Sequence, residues 1–348
     1  MSFSALWQQF FPPAPTFTEE HIVPGSQVGK VFIVTGANSG TVALKTETVH
    51  CTRKAIRLTG MSSGIGLALV KLLYPTGATI YLAGRSPERI QNAITEVTSI
   101  LSASAPATPA ILKSLHLDLS DLTTVKPAAA SFAAQETRLD ILWNNAGVGC
   151  PPETLTKQGL EIHIGANCVA PLLFTQELLP LLRATARSSP ENSVRVVWSG
   201  SLHIDMTAPK GGVDFERIEH PRVVSRKDYA ASKAGNWFLA VEGAKRWGSD
   251  GIISVCENPG NLYTGFYDRE PWLLMLFLKR FVLYETRYGA YTMLFAGLSP
   301  EVGNHNGAYI WPWGRIQPIA RPDILKAASD GKAKALWEWC EKAWQEHV

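Results

Sequence analysis

The sequence predicts a single doubly wound (Rossmann) α/β domain, a mostly parallel seven-stranded sheet with helices on both faces. Three observations predict it. Strand-like and helix-like stretches alternate along the chain, the pattern of parallel strands joined by right-handed helical crossovers. A glycine-rich turn follows the first apolar run. Short polar motifs fall just after predicted strands, where parallel sheets bind their ligands.

The elements follow in order. Short apolar runs rich in β-branched and aromatic residues recur at 31–35, 79–83, 114–119, 139–143, 194–198, 252–256 and 307–311, and each reads as a strand. Helix-length stretches lie between them at 65–74, 87–101, 160–184 and 230–247. Residues 1–26 read as an extended lead-in, and 102–109, rich in Ala, Ser and Pro, as a loop. The stretch 333–348 puts Leu336, Cys340 and Trp344 on one helical stripe, an ordinary docking face. The organisation is therefore an N-terminal extension at 1–27, one domain over 28–320, and a helical tail at 321–348. One such domain suits 348 residues.

The glycine turn is split. Val31-Phe32-Ile33-Val34 leads into Thr35-Gly36-Ala37-Asn38-Ser39-Gly40, and the pattern resumes at Ser63-Gly64-Ile65-Gly66-Leu67-Ala68-Leu69. Deleting the 24 residues 41–64 restores TGANSGIGLAL: a strand, a glycine turn and an apolar helix start. Glycines make the tight turn and let backbone N–H groups approach a pyrophosphate, which the helix N-terminus also attracts. The inserted segment reads as a retained intron. Gly40-Thr41-Val42 permits a 5′ splice signal, Leu58-Thr59 a branch site and Ser63-Gly64 an acceptor. A natural surface insertion is the alternative, although a phosphate loop is a poor place for one. Residues 41–64 hold Lys45, Arg53, Lys54 and Arg57 beside Glu47, with no apolar period. They are expected to loop out above the carboxyl edge and leave the sheet intact.

Composition describes an ordinary soluble protein. A net charge of +3 with scattered Lys and Arg offers no basic stripe for nucleic acid. Five cysteines, Cys51, Cys150, Cys168, Cys256 and Cys340, show no CxxC spacing. They suit a reducing, cytoplasmic compartment, and no metal site is expected. The N-terminus has no basic start and is interrupted by prolines, unlike a signal peptide. No uninterrupted apolar run reaches the ~18–20 residues of a membrane span. The run Pro271-Trp272-Leu273-Leu274-Met275-Leu276-Phe277-Leu278 precedes Lys279-Arg280 and reads as a pocket cover within a substrate-covering segment, 262–288. Peripheral membrane contact through it and Trp7, Phe10 and Phe11 is the alternative. A homo-oligomer is left open.

The polar motifs are, in order, the split TGANSG…GIG, Asp118 in Leu117-Asp118-Leu119, Asn144-Asn145-Ala146-Gly147, Asn167, Ser199-Gly200-Ser201, Tyr229…Lys233, and Asn258-Pro259-Gly260…Thr264. Tyr229 and Lys233 stand one helical turn apart and share a face. A phenol titrates near pH 10, and a neighbouring ammonium lowers that toward the working range of an acid/base catalyst. A lone YxxxK is a weak signal. Seven motifs in order, each on its expected element, are a strong one. Over roughly residues 28–315 the sequence resembles the short-chain dehydrogenase/reductase family. The 28 positions between Ser201 and Tyr229 resemble its retinol-dehydrogenase-like subgroup.

The resemblance implies a catalytic set of Asn167, Ser201, Tyr229 and Lys233. Ser201 would hold the substrate oxygen, with Ser199 the alternative because the register over SGS is ambiguous. Asn167 would support a water chain to Lys233. It also implies a nicotinamide cofactor held by Gly36, Ser39, Gly64, Ile65, Gly66, Asp118, Asn145, Tyr229, Lys233 and Thr264. The second strand ends in Gly84-Arg85-Ser86 with no acid for a ribose 2′-OH. Arg85 can meet a 2′-phosphate instead, so NADP(H) is expected over NAD(H). The residues of 262–288 are rich in Leu, Phe, Trp and Tyr, so the substrate is expected to be a lipophilic alcohol or ketone, as in secondary metabolism. The other reading is a catalytically impaired protein of this fold, because its phosphate loop is interrupted.

Overall fold

A computed structural model of the chain describes residues 3–37, 64–102, 107–149, 154–221, 226–264 and 272–347. Its sheet runs β3-β2-β1-β4-β5-β6-β7-β8. The strands are β1 (Val31–Thr35), β2 (Thr79–Gly84), β3 (Ile111–His116), β4 (Ile141–Asn144), β5 (Val194–Ser199), β6 (Ile252–Glu257), β7 (Tyr309–Trp311) and β8 (Arg315–Ile316). Neighbours from β3 through β7 pair in parallel, and β7 with β8 antiparallel. The order reverses between β1 and β4, which makes the crevice where such sheets bind ligands.

Strands β1, β4, β5 and β6 are buried at every position, as expected for parallel strands covered on both faces. Val125–Ala133, Ala170–Arg187, Arg226–Trp247 and Ala333–Gln345 cover one face. Ile65–Leu73, Pro87–Ser102 and Thr286–Leu298 cover the other. On this second face the last helix comes so close at Gly297 that an added Cβ would stand 2.1 Å from Trp143 Cζ2. The Trp143 indole donates to the Met293 carbonyl of the same helix at 2.9 Å.

Three expectations need correction. The sheet has eight strands, not seven. β8 is two residues long and folds back so that Trp311 pairs with Arg315, too short a run to read from hydrophobicity. The third strand spans Ile111–His116 and not 114–119, because the ladder to β2 pairs Thr79 with Ile111 through Gly84 with His116. The lead-in is not simply extended: Phe3–Phe10 is a helix. The Gln9 amide donates to Asp205 at 2.8 Å and its oxygen accepts from the Asn258 amide at 2.9 Å, tertiary bonds that a short helix needs. One helix, Ile162–Arg187, is long and apolar enough to cross a membrane by length and composition, although Gln176, Glu177 and Arg183 interrupt its apolar run, as expected from the sequence. It is a core helix here, 72% buried over its most apolar window.

The C-terminal stripe docks as expected. Leu336, Cys340 and Trp344 are buried, and Trp337 meets Trp247 edge-on at 5.2 Å. This tail completes the main core. The sheet is intact on both sides of the predicted insertion, with β1 in register against β2 and β4. Ser39 and residues 41–63 lie outside the described residues, as do Cys51 and Cys150. Cys168, Cys256 and Cys340 are buried free thiols.

Candidate active site

Tyr229 and Lys233 lie in the first turns of the helix Arg226–Trp247. Arg217 anchors this helix start through a two-pronged pair with Asp228. Tyr229 is half-buried and Lys233 is 5% exposed, with Lys233 Nζ 5.7 Å from the Tyr229 ring centre. The ammonium donates to the Ser199 carbonyl at 2.8 Å, and the Asn236 amide donates to the same oxygen at 2.9 Å. Burial holds the Lys233 ammonium below its ordinary range, opposed by Cys256 and Glu257 nearby. Two rings flank Tyr229 edge-on: His203 at 5.5 Å and His163 at 6.0 Å. Burial also holds the His203 imidazole low, with the Arg226 charge adding to this.

Asn167 sits in a π-helical turn, Gly165–Val169, inside the predicted helix. Such turns recur at functional sites. Its amide oxygen accepts from the Val148 N–H at 2.8 Å, and its amide nitrogen donates to Ser232 Oγ at 2.9 Å. Asn167 thus ties the loop after β4 to the helix that holds Lys233. Gly147 is needed at this junction, where an added Cβ would stand 3.0 Å from Asn167 Oδ1 and 3.3 Å from Lys233 Nζ.

The two serines of SGS have different surroundings. Ser199 closes β5, and its hydroxyl donates to Glu257 Oε1 at 2.7 Å inside the sheet. Ser201 lies past the strand end and is half-buried, its hydroxyl accepting from the His203 N–H at 3.2 Å. The Ser201 carbonyl accepts from the Tyr309 hydroxyl at 3.1 Å. Ser199 is thus engaged inside the sheet, while Ser201 lies two residues before His203, whose ring meets Tyr229.

The described part of the phosphate-binding unit suits a dinucleotide. Gly36 has φ +72°, and an added Cβ there would stand 2.9 Å from Ala146 Cα. A Cβ on Gly66 would meet Asn145 Nδ2 at 2.8 Å. The Asn145 amide in turn donates to the Thr35 carbonyl at 2.8 Å, closing β4 onto β1. Gly64 caps the helix Ile65–Leu73 in extended conformation with no side-chain cap bond, leaving an end of the kind that binds phosphate. Ile65 follows half-buried. Arg85 is exposed just past β2. Asp118 is half-buried past β3 and accepts from the Ser120 N–H and hydroxyl at 3.0 and 2.6 Å. Thr264 is half-buried and ends a described segment; its predecessor Tyr263 donates to the Tyr284 carbonyl at 2.9 Å.

Sequence reasoning missed His163, His203 and Glu257, because each is recruited by a partner distant in sequence or by strand register. It also missed how far a repeat extends, beyond the duplication of Ser39-Gly40 at Ser63-Gly64 that marks the edges of the insertion. Thr35-Gly36 and Ser39-Gly40 recur 24 positions on as Thr59-Gly60 and Ser63-Gly64, so that 59–66 reads TGMSSGIG without interruption. The sheet nevertheless takes Val31–Thr35 as its first strand.

The fold and these side chains define a class: doubly wound α/β oxidoreductases built around a tyrosine–lysine pair. Comparison narrows it. Residues 54–199 match the short chain dehydrogenase family. The chain is 61% identical to the short-chain dehydrogenase/reductase iacJ of Pestalotiopsis fici over 348 residues, covering 100% of this chain and 99% of the relative. A short-chain dehydrogenase/reductase of Phomopsis amygdali is 39% identical over 363 residues, covering 100% and 99%. The NADPH-bound carbonyl reductase from chicken fatty liver has the same fold at a TM-score of 0.56, with 21% identity over 84% of this chain and 99% of that one. The protein belongs to the short-chain dehydrogenase/reductase family and is an oxidoreductase.

Proposed function

We propose that this protein interconverts a lipophilic carbonyl compound and its alcohol with NADP(H), in the secondary metabolism of its host. The observation that carries the reading is the Tyr229–Lys233 pair, with a buried ammonium 5.7 Å from the Tyr229 ring. Tyr229 donates its phenolic proton to the substrate oxygen during reduction and recovers it during oxidation. Lys233 lowers the cost of that transfer by stabilising the phenolate. Ser201 donates a hydrogen bond to the same oxygen, and Asn167 holds the Val148 loop and Ser232 in place around them. When bound, NADP(H) supplies or accepts the hydride.

The choice of NADP(H) rests on Arg85, exposed past β2 where an NAD-preferring protein carries an acid. The lipophilic substrate rests on the aromatic group of Tyr284, Tyr288 and Trp313, in which Trp313 lies 4.6 Å from each tyrosine ring. The long interval between Ser201 and Tyr229 supports a place in the retinol-dehydrogenase-like subgroup. A second reading, impaired cofactor binding in the chain that includes 41–64, is favoured by the interrupted glycine turn.

The test is NADPH-dependent reduction of lipophilic carbonyls such as decanal and acetophenone by the chain lacking residues 41–64. Tyr229→Phe is expected to lower turnover by ~10²-fold or more while leaving NADPH binding, read by fluorescence, nearly intact. Substantial activity in that variant would remove the acid/base role.

A further inference from the structure

Glu257 is a carboxyl group in a place where a carboxylate is costly. It ends β6, is fully buried, and is paired in register with Ser199. The Ser199 hydroxyl donates to its Oε1 at 2.7 Å, while Oε2 has no protein partner among the described residues. A buried acceptor left so is uncommon and calls for a reason. Ser199 is also the residue whose carbonyl receives the Lys233 ammonium at 2.8 Å. One serine is thus held at its hydroxyl by Glu257 and at its carbonyl by the lysine of the catalytic pair.

We propose that Glu257 is a positioning residue for the reaction, acting on Lys233 through Ser199 and through its own charge. This rests on the reading of Tyr229 and Lys233 as the acid/base pair. Among the described residues the titratable groups around Glu257 are Lys233 from the long helix, Cys256 on its own strand and Tyr309 from β7, with Cys168 acting on Lys233 and Cys256 from the π turn and Asp205 on Tyr309. Burial pushes the Cys256 thiol and the Tyr309 phenol well up, so both stay neutral and Lys233 is the charge that Glu257 meets. Burial pushes the Glu257 carboxyl up to about 8, opposed by the Ser199 hydroxyl and the Lys233 charge. Below that pH Glu257 is neutral and the Lys233 field falls undiminished on Tyr229. Above it, the Glu257 carboxylate holds the proton on Lys233 and offsets part of its field. The offset keeps Tyr229 protonated to higher pH, and so extends carbonyl reduction on the alkaline side, while the proton retained on Lys233 preserves the ammonium that stabilises the phenolate.

Glu257→Gln keeps an acceptor for Ser199 and removes the charge. Its NADPH affinity at neutral pH, where Glu257 is itself uncharged, serves as the check that the fold is kept. Its alkaline limb in decanal reduction should lie about one pH unit lower, the scale of one nearby charge at intermediate dielectric. Glu257→Ala, which removes the acceptor as well, should lose kcat at every pH. Superimposable profiles for the parent and Glu257→Gln would overturn the proposal and leave Glu257 a structural hydrogen-bond acceptor.

A second measurement needs neither a folded variant nor turnover. Infrared difference spectra of the parent should show a buried carboxylic-acid band that is lost as pH rises through about 8, and the absence of such a titrating band would also overturn it. Failure of the parent to reduce any carbonyl offered would instead count against the proposed function. The pH dependence of NADPH affinity, set against the infrared titration in the parent and Glu257→Gln, would then decide the role of Glu257 by itself.

Discussion

At the scale of single residues, the site divides into groups that sequence spacing brings together and groups that strand register brings together. Tyr229 and Lys233 belong to the first kind, since four residues of helix put them on one face. Ser199, Ser201 and Glu257 belong to the second. Nothing in Ser199-Gly200-Ser201 says which hydroxyl faces the reaction, and only the pairing of Ser199 with Glu257 across β5 and β6 turns one inward and leaves the other at the strand end. Arg85 was legible because the acid expected after β2 is missing. In the chain lacking 41–64, Arg85→Asp should shift preference from NADPH toward NADH by roughly tenfold or more, the worth of a charged hydrogen bond. The ratio of kcat/KM for the two cofactors measures it, and an unchanged ratio would mean that Arg85 points to solvent.

Among the elements, long buried strands were easy to read and short or edge elements were not. Strands β1, β4, β5 and β6 announce themselves as largely apolar runs because both faces are covered, with Arg195 in β5 and Ser254 in β6 the interior exceptions. β8 is two residues long, and the Phe3–Phe10 helix depends on Gln9 reaching Asp205 and Asn258; neither has a local signal strong enough to be seen. The helix Thr286–Leu298 was missed for a related reason. It is buried nearly throughout from Gly289 to Gly297, and so lacks the polar face that marks an amphipathic helix. Its packing gives a test. Gly297→Ala would gain about 0.8–1 kcal/mol of helix propensity. It would also drive a Cβ to within 2.1 Å of the buried Trp143 ring. Overpacking of this kind costs about 1–3 kcal/mol, so a net loss of stability in denaturant titration is the expected outcome.

For the molecule as a whole, two predictions concern stability and loading. Glu257 binds its proton more tightly when folded, with its pKa raised from 4.5 to about 8. Between those values the unfolded chain releases the proton and the native state keeps it, so this group's contribution to stability falls as pH rises through the window and levels off above it. Glu257→Gln should therefore gain stability relative to the parent from about pH 4.5 to 8, read as a rising difference in urea midpoint. The other prediction concerns residues 41–64. Loop-closure entropy grows slowly with length, so the chain should fold with the segment present. Its phosphate turn must nevertheless aim several N–H groups at one pyrophosphate, and small displacements lose several bonds together. NADPH affinity by fluorescence should be severely weakened in the full chain and restored when 41–64 are removed. Equal affinity in both forms would mark the segment as a tolerated loop and end the intron reading as a functional claim.

By itself the sequence determined the doubly wound α/β class, the succession of seven strands along the chain and the one-turn spacing of Tyr229 and Lys233. These follow from local periodicity, from glycine where a backbone must approach a neighbour, and from a spacing of four along a helix. Tertiary structure decided that the Ser199 hydroxyl turns to Glu257 while its carbonyl receives Lys233, that the N-terminal segment coils into a helix, and that an eighth strand ends the sheet. Each of those depends on a partner many residues away, as Gln9 meets Asp205 and Ser199 meets Glu257. Hydrogen bonds of that range leave no pattern in the neighbouring sequence and exist only once the sheet has brought its strands into register.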